Sequence, residues 1–369
     1  MHFDFDVIIA GAGVVGSCLA YDCASKGLST LIVEKERSFG QGVSSRSSEV
    51  IHAGIYYEKN SLKSKLCVEG KSLLYDFCDL HNVPYKRLGK YIIAKNDAHD
   101  VRLREIYENG KNCGVTDLIY LNSEQLENTK LKNCFSAIFS PSTGIIDSHE
   151  FMSRLITLSE ELGALVVFNT AVQSVSAKEG FTDVIFSDGY ALTCKYFINA
   201  AGLGAVNLAK NIEGIDLSRV PENKYVKGNY FKTFKKIEFD NLIYPIPEVG
   251  GLGIHLTYDL SGNARFGPDV EFVNSEDYLV SEDRKSVFVD AISQYIEGIT
   301  AEDLHVDYAG IRPQIVLKGK VFSDFYIRND LVSGTNKIIN IMGIESPGIT
   351  SSLAISKYVS ELLKLGDND

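Results

Sequence analysis

Asp6-Val7-Ile8-Ile9-Ala10-Gly11-Ala12-Gly13-Val14-Val15-Gly16 decides the fold. The first five residues are an apolar run of strand length, and GAGVVG at 11–16 follows without a break. Val14 to Lys26 then has helical spacing, and Ser29 to Val33 reads as a second strand ending in Glu34. Strand, glycine turn, helix, strand and acid in this order form the unit that holds the ADP half of a dinucleotide. Gly11 permits the tight turn, Gly13 lets the backbone approach a pyrophosphate, and Gly16 lets helix and strand pack closely. The free N–H groups where the helix begins, at Val14 and Val15, suit phosphate oxygens. Glu34 is placed to accept hydrogen bonds from ribose hydroxyls, with Lys35 beside it.

Composition bounds the rest. A chain of 369 residues with 45% apolar content has room for two domains and a large core. No run approaches the roughly 20 apolar residues that span a bilayer. Asp4 and Asp6 stand where a signal peptide would carry basic residues, so none is expected. A net charge of −11 without a Lys/Arg cluster argues against nucleic acid as a partner. The seven cysteines form no CxxC and no Cys/His metal spacing; no metal site is expected, and reduced thiols suit a cytoplasmic location. Peripheral contact with the inner membrane is compatible with this composition.

Further along, helices are expected at 61–81, 98–113, 148–163, 284–297 and 350–364. Strands are expected at 88–94, near 164–168, 171–177, 182–186 and 191–199, and at Phe325 to Arg328 and Ile338 to Met342. The segment 225–275 is strand-rich, with turn signals at Pro245, Pro247, Gly250-Gly251 and Ser261-Gly262-Asn263. Nucleotide-type strands return late in the chain. A discontinuous nucleotide-binding domain (1–84, 146–224 and 306–369) with a substrate domain inserted as two pieces (85–145 and 225–305) therefore fits better than two consecutive domains.

Several segments carry chemistry. Asn199-Ala200-Ala201-Gly202 ends a strand in small residues that can approach a cofactor, and Val172 can offer backbone to an adenine edge. Gly343-Ile344-Glu345-Ser346-Pro347-Gly348-Ile349-Thr350 joins a strand to a helix, a second place where N–H groups can meet negative charge. Thr350 or Ser351 is the expected cap of that helix. The loop from Ser45, Arg46 and Ser47 to Ile55 suits packing on a flat aromatic ring, and His52 in it reads either as a catalytic group or as a structural histidine. Mid-strand His255 carries the same two readings. Arg312 precedes Pro313, hence extended backbone, and its guanidinium suits a carboxylate.

These segments make the chain recognisable. GAGVVG (11–16), VIHAGIYY (50–57), LGKYIIA (88–94), TGIID (143–147), NAAG (199–202), GLGIHLT (251–257), ARFGPD (264–269), DYAGIRP (307–313) and GIESPGITSSLAI (343–355) occur in order across nearly the whole length. Together they resemble the FAD-dependent oxidoreductases of the D-amino-acid oxidase and glycine oxidase superfamily, and within it the L-2-hydroxyglutarate dehydrogenase/oxidase family. The resemblance implies an α/β (α+β) fold: a Rossmann-like FAD-binding domain with an inserted substrate domain on a mixed or antiparallel β-sheet, glycine-oxidase-like. It implies non-covalent FAD held by Gly11, Gly13, Val14, Val15, Gly16, Glu34, Lys35, Ser45, Arg46, Ser47, Val172, Ala201, Gly202, Gly343, Pro347, Gly348, Ile349 and Thr350. It also implies oxidation of a small 2-hydroxy dicarboxylate, with hydride transfer to flavin N5, electrons passing on to oxygen, a quinone or a carrier flavoprotein. A neutral imidazole, His255 or His52, would take the hydroxyl proton. Arg312 would hold the α-carboxylate, and Arg265 or Lys90 a distal one. An amino-acid or amine oxidase and a glycerol-3-phosphate dehydrogenase of the same superfamily are the alternatives. Two departures stand out: Glu49, where the family usually has a small residue, and a somewhat short chain. A carboxylate at Glu49 is unfavourable beside an anionic substrate.

Overall fold

A computed structural model describes residues 3–131, 134–246, 253–332 and 336–365. Two large sheets organise it. The first has nine strands and is centred on Phe5–Ala10, which lies parallel between Thr30–Val33 and Ala191–Asn199. Val7, Ile8 and Ile9 are fully buried, as expected of a parallel strand covered on both faces. Ala191–Asn199 forks: residues 191–194 pair antiparallel with Phe181–Phe186, and residues 196–199 pair parallel with Asn336–Met342. The C-terminal part of the chain thus returns to a sheet that began at residue 5.

Helices Val14–Ser25, Leu62–His81, Ser148–Glu161 and Gly348–Leu363 share one apolar core against this sheet, with Leu19, Leu74, Phe151 and Ile355 at its centre. The helix 62–81 has strong ends. Ser61 Oγ accepts from Ser64 N–H at 3.1 Å, and Asn82 closes the C-terminus in the left-handed conformation. The described residues include no helix long and apolar enough to cross a membrane, and all seven cysteines are free thiols.

The second sheet has ten strands and is mixed. Lys90–Ala94 runs parallel to Leu242–Pro245, while the other pairs are antiparallel. His255–Tyr258 and Ala264–Gly267 pair as neighbours in it. Pro247, Gly250-Gly251 and the first two residues of GLGIHLT lie outside the described residues. A small third sheet joins Val50–Ile51, Gly144–Ile146 and Tyr85–Lys86.

Three expectations need correction. The border at 306 is displaced, because His305–Leu317 and Lys320–Phe322 belong to the ten-stranded sheet. His305–Leu317 pairs with Glu222–Thr233 from Glu222↔Val316 to Lys232↔His305. Ala309, Ile311 and Ile315 are buried while Gly310, Arg312 and Gln314 alternate with them along the cavity. The helix expected at 284–297 spans only Lys285–Ile292; beyond it the chain tightens into turns, and the Tyr295 hydroxyl donates to the Ile254 carbonyl at 2.9 Å. The final helix begins at Gly348 rather than at Thr350 or Ser351. Both hydroxyl residues are fully buried in its first turn, and Thr350 Oγ1 accepts the His52 N–H at 3.0 Å instead of capping the helix.

Candidate active site

One cavity of about 1110 Å³ runs between the two large sheets. That exceeds the ~300–1,000 Å³ of ordinary ligand pockets and suits a dinucleotide with a small substrate beside it. At one end the glycine turn forms the floor. Gly11 has φ +102°, and a Cβ there would sit 2.6 Å from the Ala200 carbonyl oxygen. A Cβ at Gly16 would fall 1.9 Å from the Gly11 carbonyl oxygen, so this glycine serves packing and does not line the cavity. Gly11, Gly13, Val14, Val15, Glu34 and Lys35 do line it. Glu34 Oε2 accepts from Ala12 N–H at 2.8 Å and Oε1 from Glu36 N–H at 3.0 Å, which holds the carboxylate at the strand end.

Arg46, Ser47, Val172, Ala201 and Gly202 also line the cavity, but Ser45 does not. Its hydroxyl turns to the Gly42 carbonyl, and its neighbour Ser44 takes the position, accepting the Val14 N–H at 3.0 Å. Nothing in the sequence separates these adjacent serines; the phase of the turn Ser44–Arg46 does. Gly343 likewise stays off the cavity. It turns the chain at φ +69°, against Ile315. Pro347, Gly348, Ile349 and Thr350 reach the cavity as expected.

The other end gathers His52, His255, Tyr56, Tyr244, Tyr230, Ser346 and Arg312. His52 Nε2 is 3.1 Å from Ser346 Oγ, a partner the sequence carried inside GIESPG without marking it. Burial, with the charges of Lys90 and His255 behind it, pulls the His52 imidazole down to about 3, so the ring is neutral near pH 7. His255 is buried and stacks on Tyr244, ring centroids 3.5 Å apart and planes 5° from parallel. Arg312 Nη2 donates to the Asp269 carbonyl at 3.2 Å, while Nη1 is buried without a partner among the described residues. Gly228 makes room for that guanidinium: a Cβ there would stand 3.2 Å from Nη2.

Arg265 does not join them. Its Nε lies 3.0 Å from Asp307 Oδ2, and its other nitrogens lie 3.7 Å from Glu49 and 3.8 Å from Asp259. Three carboxylates compensate it, and it does not line the cavity. The same contacts explain Glu49, which sits at φ +58°: its carboxylate accepts from the Ser148 hydroxyl at 2.8 Å and faces Arg265.

Residues 6–362 match the family described as DAO, FAD dependent oxidoreductase. The chain belongs to this family. It is 36% identical over 398 residues to a mitochondrial L-2-hydroxyglutarate dehydrogenase of Arabidopsis thaliana, spanning 96% of this chain and 82% of that protein. Among solved structures it resembles the FAD-bound L-alpha-glycerophosphate oxidase of Mycoplasma pneumoniae, with TM-score 0.88, 22% identity and coverage of 99% and 95%. It also resembles a glycine oxidase of Geobacillus kaustophilus, with TM-score 0.81, 18% identity and coverage of 100% and 96%. The glycine-oxidase-like fold expected from the sequence is the fold observed.

As a DAO-family oxidoreductase the protein uses FAD, and its residues fit that cofactor. The cradle at Gly11 and Gly13 is one that a side chain would fill. Two helix starts, at Val14 and Gly348, open on the same cavity. Arg46 adds a guanidinium 4.0 Å over the Tyr278 ring, with Nε unpartnered among the described residues.

Proposed function

We propose that this protein oxidises L-2-hydroxyglutarate to 2-oxoglutarate with FAD. The observation that carries the reading is that a neutral His52 and an Arg312 Nη1 without a partner among the described residues line the same cavity as the glycine cradle. The relative of Arabidopsis thaliana supports the choice of acid. Bound FAD supplies the two-electron acceptor that an alcohol oxidation requires.

The protein's own residues supply the rest. Arg312 binds the α-carboxylate through its open nitrogen, and the Asp269 carbonyl on Nη2 fixes the orientation of the fork. We assign the base to His52, whose Nε2 reaches the cavity beside the Ser346 hydroxyl. It takes the substrate's hydroxyl proton on Nε2, where the Ser346 hydroxyl yields its place. The Thr350 hydroxyl on the His52 backbone N–H ties that loop to the start of the final helix. His255, held flat on Tyr244, forms the facing wall.

Anaerobic mixing of the FAD-loaded enzyme with L- and D-2-hydroxy acids, amino acids and glycerol 3-phosphate tests the reading. Loss of the visible flavin band with L-2-hydroxyglutarate, in preference to the others, is the expected result. Bleaching by glycerol 3-phosphate or an amino acid instead would overturn it.

A further inference from the structure

Lys90 lies on the strand Lys90–Ala94 and is 1% exposed. Its ammonium is 4.6 Å from the Tyr244 ring centroid and 5.1 Å from that of Tyr56; both rings line the cavity, and Lys90 stands behind them rather than on the lining itself. It has no carboxylate partner and no hydrogen bond among the described residues. Four groups around it, Cys67, Tyr56, Tyr244 and His52, are uncharged near pH 7. Burial pushes the Cys67 thiol up to about 12, raises the Tyr56 and Tyr244 hydroxyls, and keeps His52 neutral. A buried ammonium without an anion is costly, and burial pulls Lys90 itself down to about 8.

The other cations nearby are compensated. Lys63 is 2.9 Å from Glu345, and Arg265 is enclosed by Asp307, Glu49 and Asp259. Lys90 and Arg312 are thus two charges that lack a carboxylate among the described residues. Arg312 has one nitrogen to offer. Lys90 has three donors on a flexible stem and only aromatic faces to satisfy them.

We propose that Lys90 anchors the second anionic group of the substrate: the carboxylate distal to the reacting carbon of a 2-hydroxy dicarboxylate, received between Tyr56 and Tyr244. The assignment rests on the 2-hydroxy-acid reading above and deepens it. A monocarboxylate would leave the ammonium buried and unpaired, so the enzyme discriminates by penalising the shorter charge set as well as by rewarding the dicarboxylate.

The test uses FAD-loaded enzyme and two unreactive probes, glutarate and valerate, with binding read from the perturbed flavin spectrum. Wild type should bind glutarate at least about thirtyfold tighter than valerate. Lys90→Met should reduce that ratio to about threefold or less by weakening glutarate, with valerate affinity changed less than about threefold. Lys90→Gln, which keeps length and polarity without charge, carries the same expectation if Lys90→Met loses flavin. No preference in wild type, a preference that survives in a flavin-loaded variant, or equal weakening of both probes overturns the assignment. A Lys90-dependent preference for glutarate in an enzyme that L-2-hydroxyglutarate does not bleach would sink the oxidation reading and leave Lys90 in place.

Discussion

The Arg312 guanidinium spends Nη2 on the Asp269 carbonyl, at 3.2 Å, and keeps Nη1 buried and without a partner among the described residues. Asp269 is itself held firmly. Its Oδ1 accepts from the Asn229 backbone at 2.8 Å and side chain at 3.0 Å, and its Oδ2 from Arg284 Nε at 2.5 Å. The guanidinium is therefore set by a network whose members come from two separate strands, the turn after Ala264–Gly267 and a helix start, and under the proposed function its remaining nitrogen is the one left for a carboxylate.

Arg312→Lys should raise KM for a carboxylate substrate by at least about tenfold, because a point charge cannot both keep the Asp269 contact and meet the carboxylate as a fork. Steady-state kinetics on flavin-replete enzyme measure it. Unchanged KM removes Arg312 from the site.

Gly13→Val should abolish FAD retention. A Cβ at Gly13 would already stand 3.1 Å from Ser44 Oγ, and the added methyls would occupy the approach to the pyrophosphate. Flavin content after purification decides, and a yellow variant with wild-type stoichiometry would contradict the glycine reading.

The pH dependence of kcat/KM should be one-sided. His52 stays neutral far below its ordinary range, down to about 3. No acid limb at the usual histidine pKa of ~6.5 should appear, and kcat/KM should be flat between about pH 5.5 and 7. Lys90 loses its charge as pH rises through about 8. For a dicarboxylate, kcat/KM should then fall roughly tenfold per unit above that point. A limb centred near pH 6.5 would argue against His52 as the base.

Glu49→Gln should leave KM within about threefold of wild type, since the carboxylate is turned to Ser148 and Arg265 and its loss removes a partly exposed ion pair. A large fall in KM would mean that Glu49 does repel the substrate. Thermal denaturation should report a loss of about 1 kcal/mol or less.

Much of the fold was legible because its signals are local. The helix from Leu62 to His81 could be read from apolar spacing and Ser61, and the alternation in His305–Leu317 was present in the letters. The sheet that this strand joins was not, because its partner, Glu222–Thr233, lies about eighty residues earlier and both large sheets accept such a pattern. At the site, His52, His255 and Arg312 could be named from motifs. Ser346 was inside a quoted motif but carried no mark of its contact with His52, which spans 294 residues of chain. Ser44 was displaced by one position because a short turn carries no periodicity.

The sequence by itself determined the nucleotide-binding unit, since strand, turn and helix depend on residues within thirty positions of one another and on glycines that no other side chain can replace there. It also determined which residue types could serve a carboxylate. Only the tertiary structure decided which of them are already compensated by neighbouring acids. Arg265 and Lys90 looked equivalent as letters. Asp307 and Glu49 converge on Arg265 from distant segments and Asp259 from its own hairpin turn, while Lys90 is enclosed by Tyr56 and Tyr244 with no acid beside it among the described residues. Charge compensation is a property of what surrounds a group in space, and neither spacing nor composition encodes it.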